Sequence, residues 1–282
     1  YTITLDPNGG ELAETSITVT YGATYSFPVA TKTGYSVEGW FTTEGGIKIT
    51  DGGIIENIEG FTVTENPTLY AIWKANDYEI TFNNQDATTP GIATLTVTYD
   101  SIIPSIADNL PARTGYTFGG DYTAINGGGT QYYTADGTGK KWDIASDTTL
   151  YAKWTANTSL VTLDNDGATS GYAGTTSVNA TYDLAMPSIT IPKKMGYNFL
   201  GYYDGEVQYY TATGASAKAW DKPNAYTLKA CIIRRSLFSF LPPALIKAPA
   251  ASELALVPIS GPRRFGRMAL YATLFSKTVL VG

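Results

Sequence analysis

Gly34-Tyr-Ser-Val-Glu-Gly-Trp-Phe41, Gly115-Tyr-Thr-Phe-Gly-Gly-Asp-Tyr122 and Gly196-Tyr-Asn-Phe-Leu-Gly-Tyr-Tyr203 are three versions of one octapeptide, each 81 residues from the last. A fixed period of this kind outranks any single motif, because it sets the architecture of the whole chain. The octapeptide itself reads as a strand: Tyr35 and Val37 alternate with polar neighbours, and the inner glycine at Gly39 marks a bulge that re-aims Trp40 or Phe41.

The similarity extends outward on both sides. Upstream stand Ile3-Thr-Leu-Asp6, Ile80-Thr-Phe-Asn83 and Val161-Thr-Leu-Asp164. Nearer lie Val19-Thr-Tyr21, Val97-Thr-Tyr99 and Ala180-Thr-Tyr182. Downstream come Thr68-Leu-Tyr-Ala-Ile-Trp73 and Thr149-Leu-Tyr-Ala-Lys-Trp154. The second and third copies also share Gln131-Tyr-Tyr-Thr134 with Gln208-Tyr-Tyr-Thr211, and Lys141-Trp-Asp143 with Ala219-Trp-Asp221. The chain therefore divides into repeat 1 (1–76), repeat 2 (77–157), repeat 3 (158–229, truncated at its last strand) and a non-repeat tail (230–282).

Tyr1 to Asp6 alternates polar and apolar, the mark of a half-buried strand. The Asn8-Gly9 pair after it favours positive-φ turns. Thr15 to Tyr21 alternates again, with Ile17, Val19 and Tyr21 on one face. Leu69 to Trp73 forms the closing strand. Helical patterns are poor; Ser101–Asn109 and Asp183–Ser188 both contain proline and predict one turn or a loop. Each unit is near the lower size for a self-supporting core, so large aromatic side chains are expected to supply much of the burial. Short seams favour a semi-rigid, elongated chain of modules. The fold class is thus mainly β, three small modules in tandem with an irregular C-terminal tail.

Composition narrows function by exclusion. The 282 residues contain no histidine and one cysteine, with a net charge of −6. This removes Ser–His–Asp and Cys–His catalysis, imidazole metal sites, thiolate zinc sites and internal disulfides. An acidic chain is a poor partner for nucleic acid. No catalytic residue, metal ligand or cofactor is assigned.

Ile3-Thr-Leu-Asp-Pro-Asn-Gly-Gly10, Val19-Thr-Tyr-Gly22, Lys32-Thr-Gly-Tyr-Ser-Val-Glu-Gly-Trp-Phe41 and Thr68-Leu-Tyr-Ala-Ile-Trp73 together resemble the Listeria–Bacteroides repeat, the internalin B-repeat type. The resemblance covers about residues 1–229. It implies small β-grasp-like modules of secreted or surface-anchored bacterial proteins, serving as spacers and adhesive segments and not as enzymes. There are departures. Asp121 stands where the other copies have Trp40 and Tyr202, the first unit has Gly45-Gly-Ile-Lys-Ile49 in place of Gln-Tyr-Tyr, and the third breaks off at Leu228.

Few side chains suggest chemistry. Asp164-Asn-Asp-Gly167 looks like the start of a calcium loop, but it aligns with the Asp6-Pro-Asn-Gly9 turn and lacks the distal Glu. Carboxylate pairs such as Glu11/Glu14 and Asp143/Asp147 lie in loops that differ between units. The remaining candidates are aromatic: Tyr132, Tyr133 and Trp142, with Tyr209, Tyr210 and Trp220. They form either a ligand-binding platform or core, because Tyr and Trp serve both ends.

The tail speaks another language. Residues 1–229 carry a net charge of −12 and residues 230–282 a net charge of +6, with five of the six arginines. Three explanations stand open: a shifted reading frame, a divergent linker or docking segment, or a membrane anchor. Pro242, Pro243, Pro249 and Pro258 interrupt the best apolar stretch, so no direct membrane span is expected. The chain begins without Met or a leader, which suits a fragment of a longer protein. The expected role is a structural and adhesive segment of a bacterial cell-surface or secreted protein. Its partner would be a protein or glycan of a host or neighbouring cell, met by a monomer. The alternative is a carbohydrate-binding array built on the Tyr/Trp platforms.

Overall fold

A computed structural model describes residues 1–20, 25–43, 46–50, 54–55 and 66–235. The first unit has strands β1 (Thr2–Asp6), β2 (Ser16–Thr18), β3 (Tyr25–Ser26), β4 (Tyr35–Phe41), β5 (Lys48–Thr50), β6 (Ile54–Ile55) and β7 (Thr68–Ala75). The second has β8 (Asp77–Asn83), β9 (Thr94–Thr98), β10 (Tyr116–Ala124), β11 (Gly128–Tyr133) and β12 (Thr148–Ala156). The third has β13 (Thr158–Asp164), β14 (Ser177–Thr181), β15 (Tyr197–Asp204), β16 (Val207–Tyr210) and β17 (Tyr226–Arg234).

Each unit builds one five-stranded mixed sheet of the same order: β2-β1-β7-β4-β5, β9-β8-β12-β10-β11 and β14-β13-β17-β15-β16. The first and last strands of a unit run parallel at its centre, with Leu5 opposite Leu69, Phe82 opposite Leu150 and Leu163 opposite Leu228. All other pairs in these sheets are antiparallel. The chain is thus mainly β, three five-stranded sheets in tandem.

Period-two patterning decides which face is covered. Ile3 and Leu5, Ile80 and Phe82, and Val161 and Leu163 point inward, while the residues between them are exposed. The segment leading into the octapeptide strand (β4, β10 or β15) packs on that face, placing Phe27 and Ala30, Ile103 and Ile106, or Met186 and Ile189 in the three cores. Of the two stretches with a helical pattern, one holds a single 3-10 turn, Ala107–Asn109, and Asp183–Ser188 has no helix. The opening turns share one device: Asn8, Gln85 and Asp166 have positive φ, and their N–H groups donate to the side chains of Asp6, Asn83 and Asp164. Asp164 to Gly167 is therefore a turn whose first carboxylate is occupied by backbone.

The expected bulge at Gly39 recurs at Gly120 and Gly201, all with positive φ. A Cβ at Gly120 would overlap the Tyr133 carbonyl, and one at Gly201 the Tyr210 carbonyl. The Gln131 and Gln208 amides donate to those same carbonyls at 3.0 Å. The Gln-Tyr-Tyr motif thus ties the bulge to the neighbouring strand.

The third unit differs from its sequence-based outline. A unit that breaks off at Leu228 has no closing strand, yet β17 runs on to Arg234 between β13 and β15. Leu228, Ala230 and Ile232 keep the alternation of Leu69, Ala71 and Trp73. Ile232 lies opposite Phe199 as Trp73 lies opposite Val37 and Trp154 opposite Phe118. Alternation, and not the Tyr-Ala-Lys-Trp wording, is what a sheet reads. Cys231 is half-buried in this strand, and burial pushes its thiol pKa up. Residues 236–282, most of the expected tail, lie outside the described residues.

Candidate functional site

The six aromatic candidates all lie in cores. Tyr132, Tyr133 and Trp142 are at most 3% exposed, as are Tyr209, Tyr210 and Trp220. Tyr132 packs on Trp142 with ring centres 4.7 Å apart, and Tyr209 on Trp220 at 5.4 Å. Lys140 and Lys218 lie over the outer faces of Tyr132 and Tyr209, at 4.0 and 5.4 Å. The Tyr132 and Tyr209 hydroxyls donate to Asp143 and Asp221. Tyr133 donates to the Pro104 carbonyl at 2.9 Å and Tyr210 to the Pro187 carbonyl at 2.8 Å. Burial raises the pKa of all four phenols, that of Tyr210 to about 12. These residues hold the loop before the last strand onto the sheet, with no face left for a ligand to stack on.

A second cluster recurs, at the seams. Gly34 is at φ +80° and Gly115 at +78°; a Cβ on either would overlap three carbons of the Tyr99 or Tyr182 ring in the following unit. Only glycine permits both the backbone turn and this approach. Tyr35 then packs edge-on against Tyr99 at 5.5 Å, and Tyr116 against Tyr182 at 5.7 Å. The Tyr35 hydroxyl donates to Asp100 at 3.0 Å, and that of Tyr116 to Asp183 at 2.8 Å. The connecting asparagines are pinned as well. Asn76 N–H donates to the Gly34 carbonyl at 3.0 Å and Asn157 N–H to that of Gly115 at 2.8 Å. Ser36 and Thr117 hydroxyls donate to the side chains of the same two asparagines.

Charge follows the same plan. Lys32 lies 4.5 Å over the Tyr35 ring and Arg113 4.1 Å over that of Tyr116. Lys141 pairs with Asp100 at 2.5 Å. Lys141 and the Tyr35 hydroxyl hold the Asp100 carboxyl below its usual range. Burial and Asp100 raise Tyr35; Asp183 and burial raise Tyr116. Sequence reasoning passed over this cluster, though Thr98-Tyr-Asp100 and Thr181-Tyr-Asp183 stand in register, and a basic residue sits two places before each Gly-Tyr.

Asp121 is the one buried charged residue among those described, 1% exposed, and its Oδ2 has no partner there. Burial pushes its pKa to about 7. Among the described residues no group of three or more acidic or thiol side chains is placed to hold a metal, and no helix is long and apolar enough to cross a membrane.

The family model of the Listeria-Bacteroides repeat domain matches residues 1–72 and 78–153. A putative Gly-rich membrane protein of Evansella cellulosilytica is 31% identical over 194 residues, 67% of this chain and 20% of its own length. A putative membrane protein of the same organism is 32% identical over 161 residues, 56% of this chain and 22% of its own. Internalin H of Listeria monocytogenes is 35% identical over 113 residues, 37% of this chain and 18% of its own. The chain spans about a fifth of the length of these relatives.

Proposed function

The chain belongs to the Listeria-Bacteroides repeat family, and from that premise we propose that it serves as a docked stalk segment and interaction surface of a longer bacterial surface or secreted protein. The observation that carries this reading is the duplicated seam. Tyr35 with Asp100 and Tyr116 with Asp183 join successive units through the same contacts. A sequence selected only to fold three separate modules has no need to repeat this tyrosine–aspartate bond between modules. The bond recurs although the Lys141–Asp100 pair of the first seam has alanine, Ala219, in the place of the lysine at the second. Internalin H supports placement outside the cell by its similarity, and the two Evansella relatives carry the word membrane in their names.

The same reading assigns no catalysis, since a chain without histidine has neither of the common histidine-based hydrolytic centres. It places recognition on the exposed loops and sheet faces and leaves the buried Tyr/Trp clusters to hold them. Its partner is a protein or glycan displayed by a neighbouring or host cell. The test joins two measurements. Protease added to intact producing cells should remove these repeats from the parent protein, while repeats that stay protected would place the segment inside. A glycan array probed with the purified chain should give no signal that depends on Tyr133 or Trp142. A signal abolished by Tyr133→Ala in a folded protein would support the carbohydrate-binding array instead.

A further inference from the structure

The third unit carries the same seam platform as the first two. Gly196 has φ +80°, matching Gly34 and Gly115. The Arg235 N–H donates to the Gly196 carbonyl at 2.9 Å, the bond that Asn76 and Asn157 make to Gly34 and Gly115. Lys194 lies 5.2 Å from the Tyr197 ring, in the place of Lys32 and Arg113. The chain therefore leaves the third unit by the same backbone route by which it passes from unit to unit. What differs is the far side. Among the described residues nothing lies within 4 Å of a Cβ built on Gly196, and Met195 beside it is 85% exposed. A cleft of about 680 Å³ opens there, lined by Tyr172, Met195, Gly196, Tyr197, Ile232 and Arg235 among others.

We infer that the Gly196-Tyr197 platform is a docking site for one more repeat of this kind, received through a Tyr-Asp pair equivalent to Tyr99-Asp100 and Tyr182-Asp183. Both occupied platforms take that pair, and at the first Lys141 joins it on Asp100. Glycine at φ +80° leaves room for a flat ring against its Cα. The Tyr197 hydroxyl is set to donate to a carboxylate, with Lys194 and Arg234 supplying positive charge around it. Arg234 now bonds that hydroxyl at 3.1 Å and holds its pKa below the usual phenol value, where Asp100 and Asp183 raise those of Tyr35 and Tyr116. Asp166 of the same unit faces Lys194 at 3.7 Å and offsets part of its charge. Lys194 and Arg234 still outnumber it, and among the described residues the platform lacks the Tyr-Asp pair that its two counterparts receive.

Nuclear magnetic resonance of protein carrying carbon-13 at the glycine α-carbons tests this. Protons over an aromatic face resonate upfield, so Gly34 and Gly115 should show upfield Hα signals in the full chain and Gly196 an ordinary one. A copy of residues 157–234 is then inserted after Arg234. The Gly196 Hα should move upfield to match the other two, and Tyr182→Ala within the inserted copy should return it. If that copy does not fold, a copy of residues 76–155 replaces it, bringing Tyr99-Asp100. A Gly196 signal that stays in place beside a folded inserted unit overturns the proposal. So does an upfield Gly196 in the unaltered chain, which would mean that an aromatic residue of 236–282 already fills the platform.

Discussion

The hydroxyl of Tyr35 and the carboxylate of Asp100, 65 positions apart in sequence, meet at 3.0 Å across the boundary between two units. Tyr116 and Asp183 repeat the contact one unit on, at 2.8 Å. A hydrogen bond at this exposure contributes little alone, because water competes for both partners. Its weight lies in the company it keeps: a glycine that admits the next ring, a tyrosine pair packed edge to edge, and an asparagine bonded to the turn.

The glycines separate seam energy from backbone strain. All three of Gly34, Gly115 and Gly196 have φ near +80°, so alanine at any of them costs roughly 1–2 kcal/mol from the backbone alone. At Gly115 the new Cβ also collides with Tyr182, whereas at Gly196 it meets no described atom. Gly115→Ala should therefore destabilise the chain more than Gly196→Ala in urea unfolding. Equal losses would mean that the seam contributes nothing measurable.

Asp121 makes the second unit sensitive to pH. Its folded pKa of about 7 lies above the 3.8 of a free carboxyl, so the folded state holds a proton that the unfolded chain releases. Stability from this group is present in full below the unfolded value and falls as pH rises through 7, by about 1.4 kcal/mol per unit of pH while the two states differ by a full proton. The second unit should melt at a higher temperature at pH 5 than at pH 8, and Asp121→Asn should flatten the difference. A second unit equally stable at both values would contradict the raised pKa of the buried Asp121 carboxyl.

Trp142 and Trp220 are fully buried, and truncation to alanine should cost each unit about 3–5 kcal/mol. A domain of this size has only about 4–12 kcal/mol in total. Trp142→Ala should therefore lower the melting temperature of the second unit steeply, and that of the third only by as much as its seam to the second contributes. A variant that melts normally would return Trp142 to the surface.

Much of this fold is legible in the octapeptide alone. The period gives three units, the alternation gives strands, and Gly39, Gly120 and Gly201 give the bulge. Which face Tyr132 and Tyr133 take is not legible, because adjacent strand residues point to opposite sides and both sides are covered here. Tyr133 packs against Phe82 at 5.7 Å, and Tyr132 is capped by Trp142 and Lys140 from the following loop. Strand β17 is hidden for another reason. Lysine and isoleucine replace the expected Tyr and Trp, while Leu228, Ala230 and Ile232 keep the inward positions that count. The seam went unseen because Tyr99-Asp100 works on the neighbouring unit, beyond the reach of any local pattern.

Chain length near that strand gives a further check. Stopping the chain after Lys229 removes the half of β17 that pairs with Tyr197 to Tyr202 and exposes the edge of β15. That product should lose the third unit to protease, while one stopped after Arg235 should keep it. Equal resistance of the two would show that residues 230–234 add nothing to the sheet.

Ile232 carries its own prediction. The Trp73 indole donates to the Pro7 carbonyl at 3.0 Å and the Trp154 indole to that of Asn84 at 3.1 Å, fastening the last strand to the opening turn. Ile232 has no such donor. Ile232→Trp should restore the bond in the third unit and raise its melting temperature, and a lowered one would show that the space beside Asn165 cannot take an indole.

The central claim is that the seams join the units into one body. Residual dipolar couplings of backbone amides in the full chain, measured in a weakly aligning medium, test it most directly. The account predicts that couplings from the described strands of all three units, β1, β4 and β7, β8 to β12 and β13 to β17, fit a single alignment tensor. It predicts too that Gly115→Val splits off the third unit. Three tensors of unequal size and orientation in the unaltered chain would contradict it, leaving three beads on a string.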